Sequence, residues 1–308
     1  MSTDIQTASE LLHRGELVVF PTETVYGLGA DATNDKAVAE IYALKGRPTF
    51  NPLIAHVTGP NMAGRYVEIT PLAQKLMDAF WPGPLTLVLK RRPDCPISLL
   101  ASAGLDTLAV RCPQNKVAQD LIATADLPIV APSANTSGQI SPTCALHVKN
   151  DFKEKCPFIL DGGPCPVGVE STILLATQDP PVLLRYGGLA IEDIERSVGP
   201  VIRPNTDPTT PQSPGQMKSH YAPSIPLRMN ATEAHDGEAL LGFGPAPDAV
   251  LNLSPSENLT EAAANLFAMM HQLDNGQWKG IAVMPVPFIG LGWAINDRLK
   301  RASYKKDA

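Results

Sequence analysis

The stretch TDPTTPQSPGQMKSHYAP, residues 206–223, limits the fold of this chain more than any other. Its prolines lack backbone donors and break both helices and central strands, so no regular element crosses it. The 308 residues must fold on either side of a connection. Hydrophobic residues make up 44% of the chain and charged residues 18%, a globular balance. Each side is long enough to bury its own core. We read a first domain over 1–203, a linker over 204–223 and a small second domain over 224–308.

In the first part, short apolar runs alternate with helical patterns. ELVVFPT (16–22) and PLIAHV (52–57) read as strands, as do PLTLVLKRR, TLAVRCP and LPIVAPSAN. DKAVAEIYALKG (35–46) has Val38, Ile41 and Tyr42 on one helical face. PLAQKLMDAFWPG (71–83) reads as a helix that opens on Pro and closes on Pro-Gly. ESTILLA and PPVLLRYGG flank a turn and predict a hairpin. Together they predict a mixed α/β domain. Beyond Ile225, ALLGFG, AVLNLS and GIAVMPVP read as strands, with the helix SENLTEAAANLFAMMHQL before the last. This alternation predicts a small parallel sheet. GLGWAINDRLKRAS is expected to close it as a helix, with Arg298, Lys300 and Arg301 on a solvated face.

Several functions are disfavoured. The formal charge is −6 with no long basic block, which argues against sequence-independent nucleic-acid binding as the main role. Cys95, Cys112, Cys144, Cys156 and Cys165 form no C-x-x-C pair, and the scatter of five thiols suits a reducing cytoplasm. The N-terminal segment has no signal-peptide core, and no run approaches the ~18 apolar residues of a membrane helix. No membrane partner is expected. GPNMAGRY (59–66) has Arg-Tyr where a phosphate loop needs Lys-Ser/Thr, and GLGAD (27–31) lacks the third glycine of a dinucleotide fingerprint. The absence of a G-x-S-x-G elbow leaves a hydrolase triad without an anchor.

Five polar clusters remain at the ends of predicted strands, where α/β proteins tend to bind ligands. They are PTETVYGLGAD (21–31), KGRPTFNPLIAH (45–56), TLAVRCP with Arg111, APSANTSGQISPT (131–143) and VGVESTI (167–173). Taken singly, each has a plain structural account: Lys45 and Arg47 suit a helix C-terminus, and the Ser-Asn run suits a capping turn. Taken together, cations and small hydroxyl donors provide what a triphosphate requires.

The ordered set FPTETVYGLG, KGRP with NPL, VRCP, SAN-x-SG-x-x-SPT and VESTI resembles the YrdC-like domain of the threonylcarbamoyl-AMP synthase family. SPGQMKSHYAP and the region after it resemble the long two-domain form, over roughly residues 5–303. One departure is Tyr186, where family members often carry Pro. The resemblance implies a twisted mixed sheet followed by a small Rossmann-like parallel-sheet domain. It implies a nucleotidyltransferase joining L-threonine, bicarbonate or CO2 and ATP into threonylcarbamoyl-AMP with release of pyrophosphate. The adenylate then passes to a complex that modifies tRNA, so tRNA is an indirect partner. By the same resemblance Thr24, His56, Arg111, Ala131 and Ser171 hold threonine. Lys45, Arg47, Asn51, Thr107, Ser133, Asn135, Ser141, Arg185 and Tyr221 serve the nucleotide. Lys45 and Arg47 would offset charge on departing pyrophosphate, with no dedicated general base. Mg2+ is expected with ATP, and no all-protein metal site is visible.

A mixed anhydride is prone to hydrolysis and calls for a lid. At ~3.1 Å per extended residue the linker spans up to about 60 Å, so SPGQMKSHYAP is expected to close over the nucleotide through Tyr221. An RNA-binding, translation-associated module and a different carbamoyl-transfer enzyme are the competing readings.

Overall fold

The computed structural model describes residues 3–204, 213–214 and 220–304. Linker residues 205–212 and 215–219, including Lys218, lie outside the described residues.

In chain order the first part comprises α1 (Thr3–His13), β1 (Val18–Phe20), β2 (Gly27–Asp31), α2 (Asp35–Lys45), β3 (Ile54–His56), α3 (Pro60–Ala63) and α4 (Pro71–Phe80). Next come β4 (Leu85–Lys90), β5 (Thr107–Arg111), α5 (Lys116–Ala125), β6 (Ile129–Val130) and α6 (Ala145–Phe152). It ends with β7 (Phe158–Ile159), β8 (Thr172–Leu175), β9 (Val182–Arg185) and α7 (Ile191–Val198). The described strands form one sheet in the order β7-β1-β2-β6-β3-β5-β4-β8-β9, with parallel and antiparallel pairs. Local chemistry sets the helix ends. Asn34, Thr70 and Asn115 cap α2, α4 and α5 through their side-chain oxygens. Gly46 stops α2 in a left-handed conformation.

The period of two along each strand divides the sheet into two faces. Ala55, Leu85, Leu87, Leu89, Leu108 and Val110 join the main core, which includes buried residues of α1, α2, α4, α5, α6 and α7. Their neighbours Ile54, Val88, Ala109 and Ile173 form a small separate cluster on the other face. One large apolar layer thus carries the stability, and the opposite face is left for polar work.

GLGAD folds as strand β2, an element the sequence reading did not assign. It lies antiparallel to β1. Glycine is needed there because a Cβ on Gly29 would sit 2.7 Å from the Phe20 ring and 2.9 Å from Ile129. The predicted hairpin forms as β8 and β9, with a register shift at Ile173/Leu174.

The second part comprises β10 (Leu227–Arg228), β11 (Glu238–Gly242), β12 (Leu251–Asn252), α8 (Leu259–Leu273), β13 (Gly280–Val283) and α9 (Gly292–Ala302). Its described strands form a separate sheet, β10-β13-β11-β12, in which every pair is parallel. Its core does not stop at the linker: Val25, Ile140 and Val169 of the first part pack in the same cluster as Leu241, Phe267 and Ile295. One expectation is corrected here. Arg298 is fully buried and not on a solvated face, because α9 turns it toward the first part, where it meets Glu170. Lys300 is exposed, and Arg301 pairs with Asp297.

Candidate active site

Cross-strand register builds the site from one row. His56 of β3 is paired with Arg111 of β5, Arg111 with Thr86 of β4, Thr86 with Ile173 of β8, and Ile173 with Arg185 of β9. Directly paired residues share a face, here the face opposite the main core. Arg185 reaches it through a bulge. One step along β8 from Ile173 to Leu174 takes two steps along β9, from Arg185 to Leu183. Leu184 is the extra residue, and the bulge aims Arg185 at the polar face.

Above this row lies a pocket lined by Thr24, Arg47, His56, Arg111, Ala131 and Ser133, with Glu170, Ser171, Arg185, Pro214, His220 and Tyr221. Its polar groups are held from behind. Arg111 Nη1 donates to Thr24 Oγ1 at 2.9 Å, and Arg111 Nη2 pairs with Glu23 at 2.7 Å with both side chains buried. Thr86 Oγ1 and Ser171 Oγ share a hydrogen bond of 2.8 Å. Arg185 donates to the Ser171 carbonyl from Nε and Nη2 at 3.1 and 2.9 Å, and to the Pro214 carbonyl from Nη1 at 3.2 Å. Arg47 donates to the carbonyls of Asn51 and Pro52 at 3.1 and 3.0 Å.

The charge balance separates these arginines. Arg111 has a carboxylate partner in Glu23. Among the described residues, neither Arg47 nor Arg185 forms an ion pair; both meet neutral oxygens. Burial lowers Arg47 to about 10, which leaves it cationic near neutral pH, and burial also lowers Arg185 from its ordinary value; a guanidinium keeps its proton in proteins. Burial, then the neighbouring Arg111, depresses His56 to about 3, which leaves a neutral imidazole. Burial also depresses His220 to about 3. Two guanidinium groups without an ion-pair partner among the described residues, in a mostly buried pocket, suit an anion.

Not every residue expected at the site faces it. Lys45 ends α2 fully buried, and its Nζ donates to the carbonyls of Ser133, at 2.6 Å, and Asn135. Burial, then Arg47, lowers its pKa well below the usual value. Lys45 therefore braces the Ser133–Asn135 turn instead of lining the pocket. Asn135 donates to the carbonyls of Thr136 and Gln139 within the same turn. Asn51 is buried beside Arg47. Ser141 stands behind the lining, donating to Glu170 at 2.5 Å. Thr107 is not brought to this group. It shares a face with Arg111 but sits four residues away along β5, about 13 Å, where it lines a second cavity with Thr70, Lys90 and Leu175.

The described parts of the linker reach the pocket. Pro214, His220 and Tyr221 line it. Tyr221 adopts φ +61°, a strained value for a bulky residue. Its ring packs on Phe267 and His220, and its Oη is buried without a hydrogen-bond partner among the described residues. Tyr186 stacks on Trp293 at 5.4 Å, which anchors the turn after Arg185 to α9. The sequence reading named neither Glu23 nor Glu170 as site residues, although both lie in segments it singled out. The available signal was a single carboxylate set among hydroxyls and apolar residues next to a strand.

Fold and site define an α/β protein of two sheets with a cation-lined pocket on the face of the larger sheet opposite its main core. Comparison with known proteins narrows that class. Residues 10–187 match the Sua5_yciO_yrdC family, described as Telomere recombination, and residues 189–303 match the threonylcarbamoyl-AMP synthase C-terminal domain. The chain is 40% identical to the threonylcarbamoyl-AMP synthases of Pyrococcus abyssi and Bacillus subtilis over 321 residues, covering 97% of this chain and 94% and 92% of theirs. The crystal structure of P. abyssi Sua5 complexed with L-threonine superposes with a TM-score of 0.90 at 38% identity, covering 97% of this chain and 94% of that one. The chain belongs to the threonylcarbamoyl-AMP synthase family, in its long two-domain form, and that is a family of enzymes.

Proposed function

We propose that the pocket forms threonylcarbamoyl-AMP from L-threonine, bicarbonate or CO2 and ATP, releasing pyrophosphate, for threonylcarbamoyladenosine modification of tRNA. The observation that carries this reading is the pair Arg47 and Arg185, buried cations with no ion-pair partner among the described residues, beside a separate group of Thr24, His56, Arg111, Ala131 and Ser171. The first pair suits phosphates and the second group a small amino acid. The relative from P. abyssi, solved with L-threonine, supports that assignment.

In this reading Arg111 meets the threonine carboxylate, steadied by Glu23 and Thr24. The neutral His56, Ser171 and the small Ala131 shape the space for the side chain and amine. The threonine amine adds to CO2, giving a carbamate and releasing a proton. A carbamate oxygen attacks the α-phosphorus, and the bond to pyrophosphate breaks. The nucleophile is already an anion, so positioning and charge neutralisation supply most of the catalysis. Arg47 and Arg185 neutralise phosphate charge, while Ser133, Ser141 and Tyr221 serve the nucleotide with Asn51 behind Arg47. Lys45 and Asn135 keep the Ser133 turn in shape.

ATP would arrive as its Mg2+ complex, with the ion part of the substrate. Among the described residues no three His, Cys, Asp or Glu side chains converge as a metal site. The described linker residues Pro214, His220 and Tyr221 would face the bound nucleotide, and the adenylate would pass to a tRNA-modifying complex. No helix among the described residues is long and apolar enough to cross a membrane; the proposed setting is the cytoplasm, where scattered thiols stay reduced. The reading is tested by incubating the protein with ATP, labelled bicarbonate and L-threonine. Threonine-dependent pyrophosphate release with a labelled adenylate is expected; threonine-independent turnover, or tight RNA binding without turnover, would overturn it.

A further inference from the structure

Two polar side chains of the second domain reach residues that line or back the pocket. Arg298 of α9 is fully buried, and its Nε donates to Glu170 Oε2 at 2.9 Å. Its Nη1 donates to the Tyr186 carbonyl and to Asp297, both at 2.8 Å. Its guanidinium carbon lies 5.2 Å from the centre of the Tyr221 ring, within cation–π range. The other oxygen of Glu170 accepts from Ser141 Oγ at 2.5 Å. Independently, His271 of α8 donates from Nε2 to the Ser141 carbonyl at 3.2 Å, and its ring stacks on His147 at 3.9 Å. Both routes from the second domain converge on Ser141, and one of them also backs Tyr221.

Electrostatics make this more than packing. Burial pushes Glu170 up, but Arg298 and Arg185 together hold it below its usual value, so it is a carboxylate. Without Arg298, Glu170 would lose the partner that offsets its buried charge and would draw on Arg185, a group the nucleotide needs. Arg298 thereby also keeps Arg185 available.

We propose that Arg298 and His271 are positioning residues, by which the second domain holds Ser141, Tyr221 and Arg185 in the geometry that binds the nucleotide. This rests on the functional reading above and adds a task for the second domain. On threonine's side of the pocket, Thr24, His56 and Arg111 lie outside both routes, and Ser171 meets them through Arg185.

The test compares the full-length chain with Arg298→Lys, which keeps the charge but loses the fork, and with His271→Phe, which keeps the stacked ring but loses the donor. Isothermal titration measures the affinity of each for a non-hydrolysable ATP analogue and for L-threonine, with circular dichroism to monitor folding. Arg298→Lys is expected to weaken nucleotide binding by roughly tenfold and His271→Phe by roughly threefold, with threonine affinity within about twofold of wild type. If Arg298→Lys fails to fold, His271→Phe decides. A folded variant that binds nucleotide as wild type does, or loses both ligands in equal proportion, overturns the positioning role. Wild-type protein that binds neither ligand overturns the functional reading itself.

Discussion

Arg111, Arg47 and Arg185 share a side chain but differ in their partners, and the partners set what each can hold. Arg111 is anchored by Glu23, so its position is fixed before any ligand arrives. Arg111→Lys keeps the charge and loses the planar fork. It is expected to raise the KM for threonine by about 10–100-fold, with a smaller effect on that for ATP, as steady-state kinetics would show. Arg47 faces neutral oxygens and is available to an anion. Arg47→Ala is expected to lower kcat by about 10²–10³-fold while circular dichroism stays unchanged. Lys45 differs again. The family resemblance places it beside phosphate, yet its Nζ is committed to two carbonyls. Lys45→Met strands those carbonyls and is expected to cost about 2 kcal/mol of stability in urea unfolding, on top of any loss of turnover.

At the scale of elements, the strands carry the account, and here the limits of sequence reading are clearest. Alternation made β4 and β5 legible, because Leu85, Leu87 and Leu89 repeat every second residue against the core. The polar clusters were legible for a related reason: Arg111 and His56 end strands just after the apolar runs 108–110 and 54–55. The face they use was not legible, because it depends on pairing His56 with Arg111 and Arg111 with Thr86 across three strands. The bulge that aims Arg185 was hidden too. Strict alternation would place Arg185 on the same face as Leu183. The role of Arg298 was invisible locally, since an arginine in a polar helix turn reads as surface until its partner Glu170, 128 residues away, is known.

Burial also keeps three histidines neutral: His56 in β3, His147 in α6 and His220 in the linker. His56 and His220 are depressed to about 3 and His147 to about 4, mainly by burial. Arg111 adds to this at His56; at His220, Arg47, Lys45 and Arg185 oppose Glu170; and His271 faces His147. Their folded values lie below the ordinary 6.5, so on acidification the unfolded chain takes up protons first. The stability they contribute is complete above about pH 6.5 and is lost as pH falls toward 3. Each such histidine adds at most about 1.4 kcal/mol per pH unit in that window. Urea unfolding at pH 7 and pH 5 should therefore show a steep loss; equal stability at both would contradict the burial of these side chains.

Over the whole molecule, the two sheets are separate but the working unit is not. Val25, Ile140 and Val169 are buried in the second core, and Glu170 depends on Arg298. A chain ending at residue 203 would expose those apolar residues, lose Tyr221 and leave Glu170 without its main cation. It is expected to aggregate more readily and to lose most of its turnover even where the first sheet folds. The central claim is that one pocket joins three substrates, and the most direct measurement is a single assay on the full chain. Labelled bicarbonate, L-threonine and ATP should give pyrophosphate and a labelled adenylate in equal amounts, with neither formed when threonine is omitted. Pyrophosphate release at the same rate without threonine would contradict it.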